Sequence, residues 1–179
     1  MAIFKELFPK TFLIKNVTFE DERGSFCKQY TQDLLRELDI SFSVYEEFYT
    51  TSEKDVIRGM HFTLPPNAQS KIISCIYGAV IDVIIDLRSG PNYSNFLEIP
   101  LSAKEPSLLV LPSGIGHGFK SLVDDSIVTY STDKKYQVEL DTGIHYQSFG
   151  YDWGSDRAIV SNRDATLAKL SDFVTPFHE

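Results

Sequence analysis

Short runs of β-forming residues recur along the chain between clusters of turn residues, and this spacing limits the possible folds more than any other feature of the sequence. Each run is rich in β-branched and aromatic residues, and Gly, Pro, Asn and Asp punctuate the intervals. The pattern predicts an antiparallel sandwich or barrel. The predicted strands cover residues 11–14, 42–45, 71–77, 80–87, 96–99, 107–111 and 127–131.

One segment, residues 31–38, has the pattern of a helix instead. Thr31 can cap its N-terminus, and Leu34, Leu35 and Leu38 form one apolar stripe. The 179 residues contain no internal repeat, low-complexity segment or linker, and an apolar content of 42% is ample for one packed core. We therefore expect a single domain over residues 1–179.

Charge and apolar content narrow the possible partners. A formal net charge of −8 argues against non-specific nucleic-acid binding, which needs Lys and Arg placed against phosphates, although a local cation cluster could still hold a phosphorylated small molecule. No apolar run is long enough to cross a bilayer, and residues 1–6 lack the order of a signal peptide. We expect a cytoplasmic protein that binds neither nucleic acid nor membranes. Cys27 and Cys75 are too few for a disulfide scaffold, so reduced thiols are expected.

The segment 56–62 contains a histidine, His61, and a lysine, Lys71, follows ten residues after it on the next predicted strand. Neutral imidazole can accept a proton at cellular pH, and an ammonium group can stabilise an oxygen that becomes negative. This pair suits chemistry next to a carbonyl. The competing interpretation of His61 is a hydrogen-bonded structural residue in an apolar strand.

A second histidine, His117, follows a proline and two glycines that interrupt the strand run ending at residue 111, so the backbone can bend there and direct the imidazole into a cavity. The strand over 80–87 sends Asp82 and Asp86 to one face. An aspartate inside a barrel is costly unless it is bonded, so Asp82 is expected to orient a histidine or to bond to backbone. For Asp86 we expect a turn with Arg88.

These residues resemble the dTDP-4-dehydrorhamnose 3,5-epimerase family, which comprises cofactor-free enzymes acting on nucleotide-linked 4-keto-6-deoxy sugars. Each matching segment is weak evidence alone, but the set in this order is specific and covers almost the whole chain. The resemblance implies an all-β, cupin-type antiparallel jelly-roll barrel with a few short flanking helices, and no cofactor or metal. The matching segments are residues 21–24, 56–61, 69–71, 78–88, 111–119 and 160–164.

The resemblance also implies roles for individual residues. The catalytic base falls on His61, its paired carboxylate on Asp164, the cation near the ketone on Lys71, and the proton donor on Tyr130. Without the resemblance, structural interpretations are favoured for all three: Tyr130 as a barrel-lining aromatic, Asp164 as a helix cap and Lys71 as a solvated turn cation. The positions expected to bind substrate are Arg23, Phe26, Lys28, Glu46, Arg58, His117, Tyr136, Asp141 and Arg163.

Several of these positions depart from the family. Lys28 replaces a glutamate that contacts the thymine ring, residues 46–48 read Glu-Glu-Phe where the family has Gln-x-Asn, and Asp141 replaces a glutamate. Because cytosine has a lone pair where thymine has a ring N–H, a lysine donor suits cytosine better, and the nucleotide is therefore either dTDP or CDP. Residues 151–156 also differ, which leaves open whether C3, C5 or both centres are inverted.

Other functions remain compatible with this pattern. A metal-dependent cupin would need a fuller ligand set than His61 and His117, and Lys71 occupies the place of a carboxylate ligand. A 3,4-ketoisomerase on the same barrel shares nucleotide-sugar substrates, and a non-catalytic barrel would only bind the sugar nucleotide. The resemblance further implies a homodimer whose N-terminal strands bring Arg23 and Phe26 toward the neighbouring site.

Overall fold

A computed structural model describes residues 3–154 and 157–178, and β-strands are the main regular secondary structure among them. Ser155 and Asp156, within the divergent stretch 151–156, lie outside the described residues. Two short α-helices and one 3₁₀ helix, Leu170–Asp172, accompany the strands. The elements are β1 (Ile3–Phe8), β2 (Thr11–Lys15), β3 (Thr18–Asp21), β4 (Gly24–Cys27), α1 (Gln32–Glu37), β5 (Glu46–Ser52), β6 (Val56–Thr63), β7 (Lys71–Tyr77), β8 (Ala79–Asp86), β9 (Phe96–Ser102), β10 (Ser107–Leu111), β11 (Ile115–Ser121), β12 (Ser126–Thr132), β13 (Asp141–Gly143), β14 (Ile159–Val160) and α2 (Asn162–Ala165).

The strands form two facing sheets and a separate hairpin. The first sheet has the order β1-β2-β10-β7-β12-β5, and the second has the order β13-β6-β11-β8-β9, with β14 parallel to β6. Within the described part of the chain, strands β3 and β4 pair only with each other. Apart from β14, all of these pairs are antiparallel, so the predicted all-β jelly-roll barrel is confirmed.

Three apolar clusters fill and flank the barrel. The first lies between the sheets and joins residues such as Ile73, Ile84 and Phe119. The second packs the C-terminal segment on the outer face of the second sheet, and the third packs α1 on the outer face of the first sheet through Leu35. Both sheets therefore bury apolar residues on two faces, which holds them rigidly around the space between them.

Six of the seven predicted strands are confirmed, with ends that differ by up to three residues. The predicted strand at 42–45 is wrong: Phe42 is not in a strand but packs beside α1, and the strand begins at Glu46. The helix is confirmed, since the Thr31 hydroxyl accepts a hydrogen bond from the Leu34 N–H and Leu35 is fully buried. No helix among the described residues is long and apolar enough to span a membrane.

Candidate active site

A cavity of about 280 Å³ opens between the two sheets. Strands β5, β7 and β12 of the first sheet form one wall, and β6 and β11 of the second sheet form the other. The C-terminal helix α2 and the segment around β13 complete its rim. The side chains that line it are Glu46, Phe48, Thr50, Arg58, His61, Gln69, Lys71, His117, Tyr130, Tyr136, Asp141 and Arg163.

His61 lies on β6 and is paired with a carboxylate from α2. Its Nε2 atom is 2.8 Å from Oδ1 of Asp164, and Oδ2 accepts a hydrogen bond from the Gly59 N–H. Ser161 caps α2 by accepting from the Asp164 N–H, which fixes the carboxylate in place. Burial alone would raise the pKa of Asp164, but the bonds from His61 and Gly59 bring that pKa below its ordinary value. An ionised Asp164 then leaves the other His61 nitrogen available to accept a proton.

His117 lies beside His61 in the paired strand β11 and has a carboxylate of its own. Its Nε2 atom is 2.7 Å from Oδ2 of Asp82, and both side chains are buried. The expectation that Asp82 orients a histidine is confirmed. Burial raises the pKa of Asp82 against the opposing effect of His117, and the Oδ1 atom of Asp82 has no hydrogen-bond partner among the described residues. Asp86 instead forms the expected ion pair with Arg88.

Lys71 enters the cavity from the first sheet, at the start of β7. Burial lowers its pKa, while the charge of Asp141 acts in the opposite direction. Among the described residues, neither Lys71 nor Arg58 forms an ion pair with a carboxylate. Arg58 instead donates to the Ser52 hydroxyl and to the Thr51 carbonyl. Two cations in the cavity are therefore free to bind an anionic ligand.

Tyr130, on β12, is 7% exposed and lies on the wall opposite His61. Its ring stacks on Phe48, with centroids 4.9 Å apart and planes 13° apart, and it meets His117 edge-on. Burial raises the pKa of Tyr130, so its hydroxyl is protonated at neutral pH.

The rim of the cavity combines an exposed aromatic ring with charged groups. The Tyr136 ring is 48% exposed, and its backbone N–H donates to Glu46. Arg163 forms an ion pair with Asp141 at 2.7 Å, and the Tyr136 hydroxyl donates to the same carboxylate. An aromatic face beside two basic groups, Arg163 and Arg58, can bind a ring that carries phosphates.

A family model described as dTDP-4-dehydrorhamnose 3,5-epimerase matches residues 6–172. The chain belongs to this epimerase family. Its fold, its enzyme class and its family are therefore those that the sequence predicted, and the epimerase is an isomerase acting on a carbohydrate.

Curated members of the epimerase family match over nearly the whole chain. The dTDP-4-dehydrorhamnose 3,5-epimerase of Shigella flexneri is 30% identical over 176 residues, which cover 96% of this chain and 97% of the relative. The dTDP-4-dehydrorhamnose 3-epimerase of Streptomyces niveus is also 30% identical, over 85% of this chain and 75% of the relative. The names of these relatives thus refer to epimerisation at C3 alone in one case and at both C3 and C5 in the other.

Solved structures of the epimerase family superimpose closely on this chain. The dTDP-4-dehydrorhamnose 3,5-epimerase of Bacillus anthracis, with TDP and pyrophosphate bound, has a TM-score of 0.91 at 32% identity and covers 95% of this chain and 100% of its own. A 3,5-epimerase of Legionella pneumophila, in complex with dTDP-4-keto-L-rhamnose, has the same TM-score at 25% identity and covers 97% and 95%.

Three of the residues that the epimerase resemblance assigned to substrate do not line the cavity of the described chain. Arg23 is exposed on the β3–β4 hairpin and pairs with Asp21. Phe26, 60% exposed, and Lys28 line a separate groove beside α1. The other positions assigned from the sequence either line the cavity or, like Asp164, bond to a residue that does.

Sequence reasoning missed three residues of the cavity wall: Phe48, Thr50 and Gln69. Two of them lie on β5, the strand that was predicted four residues too early. The residues of β5 that share the inward face, Glu46, Phe48 and Thr50, are mostly polar. The strand therefore lacks the apolar face by which the other strands were recognised. Among the described residues, no group of three or more His, Cys, Asp or Glu side chains converges at metal-binding distances.

Proposed function

We propose that the protein inverts C3, C5 or both centres of a nucleoside-diphosphate-linked 4-keto-6-deoxy sugar by moving protons, without a cofactor. One observation carries this proposal. A single cavity receives a carboxylate-paired imidazole, His61, from one sheet and a buried phenol, Tyr130, from the other, with the unpaired ammonium of Lys71 beside them. Base and acid on opposite walls are what inversion at a carbon requires.

His61 takes the proton in the first step. A C–H bond next to the C4 ketone is acidic only when the resulting enolate oxygen is stabilised, and Lys71 supplies that stabilisation in a site with little water. The lowered pKa of Lys71 makes its proton easier to share with the oxygen. Asp164 stabilises the imidazolium that forms on His61, as a carboxylate does behind the histidine of a hydrolytic triad.

Tyr130 returns a proton in the second step. The phenolic O–H bond breaks while a C–H bond forms on the opposite face of the enolate, which restores the ketone with the centre inverted. His61 gives up its proton to solvent, and the Tyr130 phenolate recovers one from solvent. The raised pKa of Tyr130 keeps the donor loaded before the reaction begins.

The nucleotide occupies the rim of the cavity in this proposal. Arg58 and Arg163 bind the diphosphate, and the base stacks on the exposed ring of Tyr136, beside Glu46 and Asp141. His117 contacts the sugar. The diphosphate assignment accounts for Arg58, a cavity cation without a carboxylate partner among the described residues, in a chain whose net charge is −8.

The base is thymine or cytosine. The ligands named for the structural relatives, TDP and dTDP-4-keto-L-rhamnose, favour thymine. The replacement of a family glutamate by Lys28 favours cytosine, but Lys28 lies outside the cavity of its own chain. Competitive binding of dTDP and CDP to the purified protein tests the choice. A strong preference for dTDP rejects the cytosine hypothesis.

We also propose that the working unit is a homodimer in the cytoplasm, each subunit forming one domain over residues 1–179. Exposed Arg23 and Phe26 on the β3–β4 hairpin would then serve the cavity of a second copy. Free thiols at Cys27 and Cys75 are compatible with a reducing compartment. Light scattering in solution tests the dimer, and cell fractionation tests the location.

Incubation in deuterated water with several nucleotide-linked 4-keto-6-deoxy sugars tests the reaction. NMR should show deuterium at C3, at C5 or at both, together with inversion at the labelled centre. We expect His61→Ala to abolish exchange, because the base is gone. Tyr130→Phe should retain exchange while inversion falls by about a hundredfold or more, because only the acid is gone.

The matched control is His178→Ala, which removes an exposed histidine near the C-terminus that does not line the cavity. Its rates of exchange and inversion should equal those of wild type. Migration of the ketone from C4 to C3 without inversion would identify a 3,4-ketoisomerase instead. Tight binding of the sugar nucleotide with no exchange at any position would identify a non-catalytic barrel.

A further inference from the structure

The inner face of β5 is directed at the cavity from Glu46 to Thr50. β5 is the last strand of the first sheet, and among the described strands it pairs with β12 alone. By the two-residue period of a strand, Glu46, Phe48, Thr50 and Ser52 share one face. The first three line the cavity, and Ser52 accepts a hydrogen bond from Arg58. This edge strand therefore contributes side chains to the site rather than to the apolar core.

Phe48 is the aromatic member of this face. It lies directly opposite Tyr130 in the β5–β12 register, and the two rings are nearly parallel at 4.9 Å. Phe48 is 47% exposed, so hydrophobic burial alone does not explain its position. Its ring covers one face of the tyrosine, while His117 contacts Tyr130 with an edge-on ring. The Tyr130 ring is thus confined from two sides.

Thr50 is the neighbour of Phe48 on the same face. Its Oγ1 atom is buried and forms no hydrogen bond with another described residue, although the residue lines the cavity. A buried hydroxyl without a partner is costly, so such a group needs a partner at some stage of function. Burial raises the pKa of Tyr130, and the nearby Thr50 hydroxyl is the largest influence in the opposite direction.

We propose that Phe48 and Thr50 are positioning residues for proton donation by Tyr130. Phe48 holds the plane of the phenol ring against the cavity wall. The Thr50 hydroxyl donates a hydrogen bond to the phenolate oxygen that proton transfer leaves behind. Both act through Tyr130 and neither takes part in proton abstraction by His61. This inference rests on the proposed function and assigns it two residues outside the acid and base themselves.

The test separates proton abstraction from inversion. Thr50→Val removes the hydroxyl at nearly constant volume, and Phe48→Leu removes the stacked ring. In deuterated water, inversion by each variant should fall by at least about tenfold, while exchange at the same carbon stays within about twofold of wild type. Exchange persists because His61 can still remove a proton and return deuterium to the same face. Retained exchange also shows that each variant is folded. Thr50→Ser, which keeps the hydroxyl, should restore the wild-type ratio.

Thr51→Val and Tyr49→Leu are the matched controls, since these exposed side chains lie on the opposite face of β5. Both should keep the wild-type ratio of inversion to exchange. Equal losses of inversion and exchange in Thr50→Val and Phe48→Leu, or no loss of either, would overturn the inference while leaving the proposed function intact. Failure of wild-type protein to exchange any proton would reject the proposed function itself.

Discussion

At the residue scale, the two histidine–carboxylate pairs look alike but differ in how the carboxylate is satisfied. Asp164 accepts from His61 and from the Gly59 N–H, and its pKa falls. Asp82 accepts from His117 through one oxygen, the other oxygen has no partner among the described residues, and burial raises its pKa. At Asp82, the more deeply buried of the two, burial outweighs the effect of one donor, whereas at Asp164 the bonds from His61 and Gly59 outweigh burial.

This difference predicts opposite dependences of stability on pH. A carboxylate with a raised folded pKa stabilises the fold below its unfolded value, about 3.9, and that contribution is lost as pH rises through the folded value. The stability of wild type relative to Asp82→Asn should therefore decline as pH rises above about 4. The slope can reach about 1.4 kcal/mol per pH unit. Urea unfolding at a series of pH values measures it.

Asp164→Asn should show the reverse slope. A lowered folded pKa contributes stability that is present above about pH 4 and is lost as pH falls toward the folded value. The advantage of wild type over this variant should shrink on acidification. Asp125→Asn, at an exposed turn position, is the control and should show neither trend. Parallel slopes for Asp82→Asn and Asp164→Asn would contradict the contrast between the two pairs.

At the element scale, the two histidines lie side by side because they are register partners in β6 and β11, and these strands are in tight contact at Gly59 and Gly118. A Cβ atom on Gly59 would lie 2.5 Å from the Cα atom of Gly118, and Gly59 has a φ of +140°. We expect Gly59→Ala to lower the free energy of unfolding by about 2 kcal/mol or more through overpacking and backbone strain. It should also reduce activity, since Gly59 bonds to Asp164.

Gly24→Ala is the matched control for that substitution. Gly24 also has a positive φ, +116°, but a Cβ atom there would meet nothing within 4 Å. It should therefore show the backbone cost alone, and the difference between the two variants in urea unfolding isolates the packing of β6 against β11. Equal losses of stability in both variants would mean that the close approach contributes little.

The elements also show how far the sequence predicts this fold. β8 was predicted because apolar residues occur on both of its faces, and inside the strand only Asp82 interrupts them. The strand was predicted at residues 42–45, four residues before β5, because Phe42 is apolar and fits the pattern of a strand. Phe42 instead packs beside α1, and the inward residues of β5 line the cavity. A hydrophobic pattern in the sequence reveals a strand whose face packs against an apolar core, and neither face of β5 does so.

At the scale of the whole molecule, the site joins residues that local pattern cannot connect. His61 and Asp164 are 103 positions apart in the chain and lie 2.8 Å apart in the fold. Only resemblance to a family could pair them from the sequence, whereas the proximity of His61 and Lys71 on neighbouring segments was visible directly. For Asp82, the sequence predicts that a buried aspartate needs a hydrogen-bond donor, but it does not identify His117 as that donor.

If Arg23 of one subunit serves the cavity of the other, two variants that are each inactive should form an active site when they pair in one dimer. His61→Ala lacks the base, and Arg23→Ala lacks the exposed hairpin cation proposed to serve the other subunit. In a mixed dimer, one cavity then contains both substitutions, while the other contains an intact His61 and receives an intact Arg23. Random pairing at equal amounts makes half of the dimers mixed, so activity should recover to about a quarter of wild type. If Arg23 served its own chain, or no cavity at all, unfolding and refolding the two variants together would restore nothing beyond the sum of their separate activities.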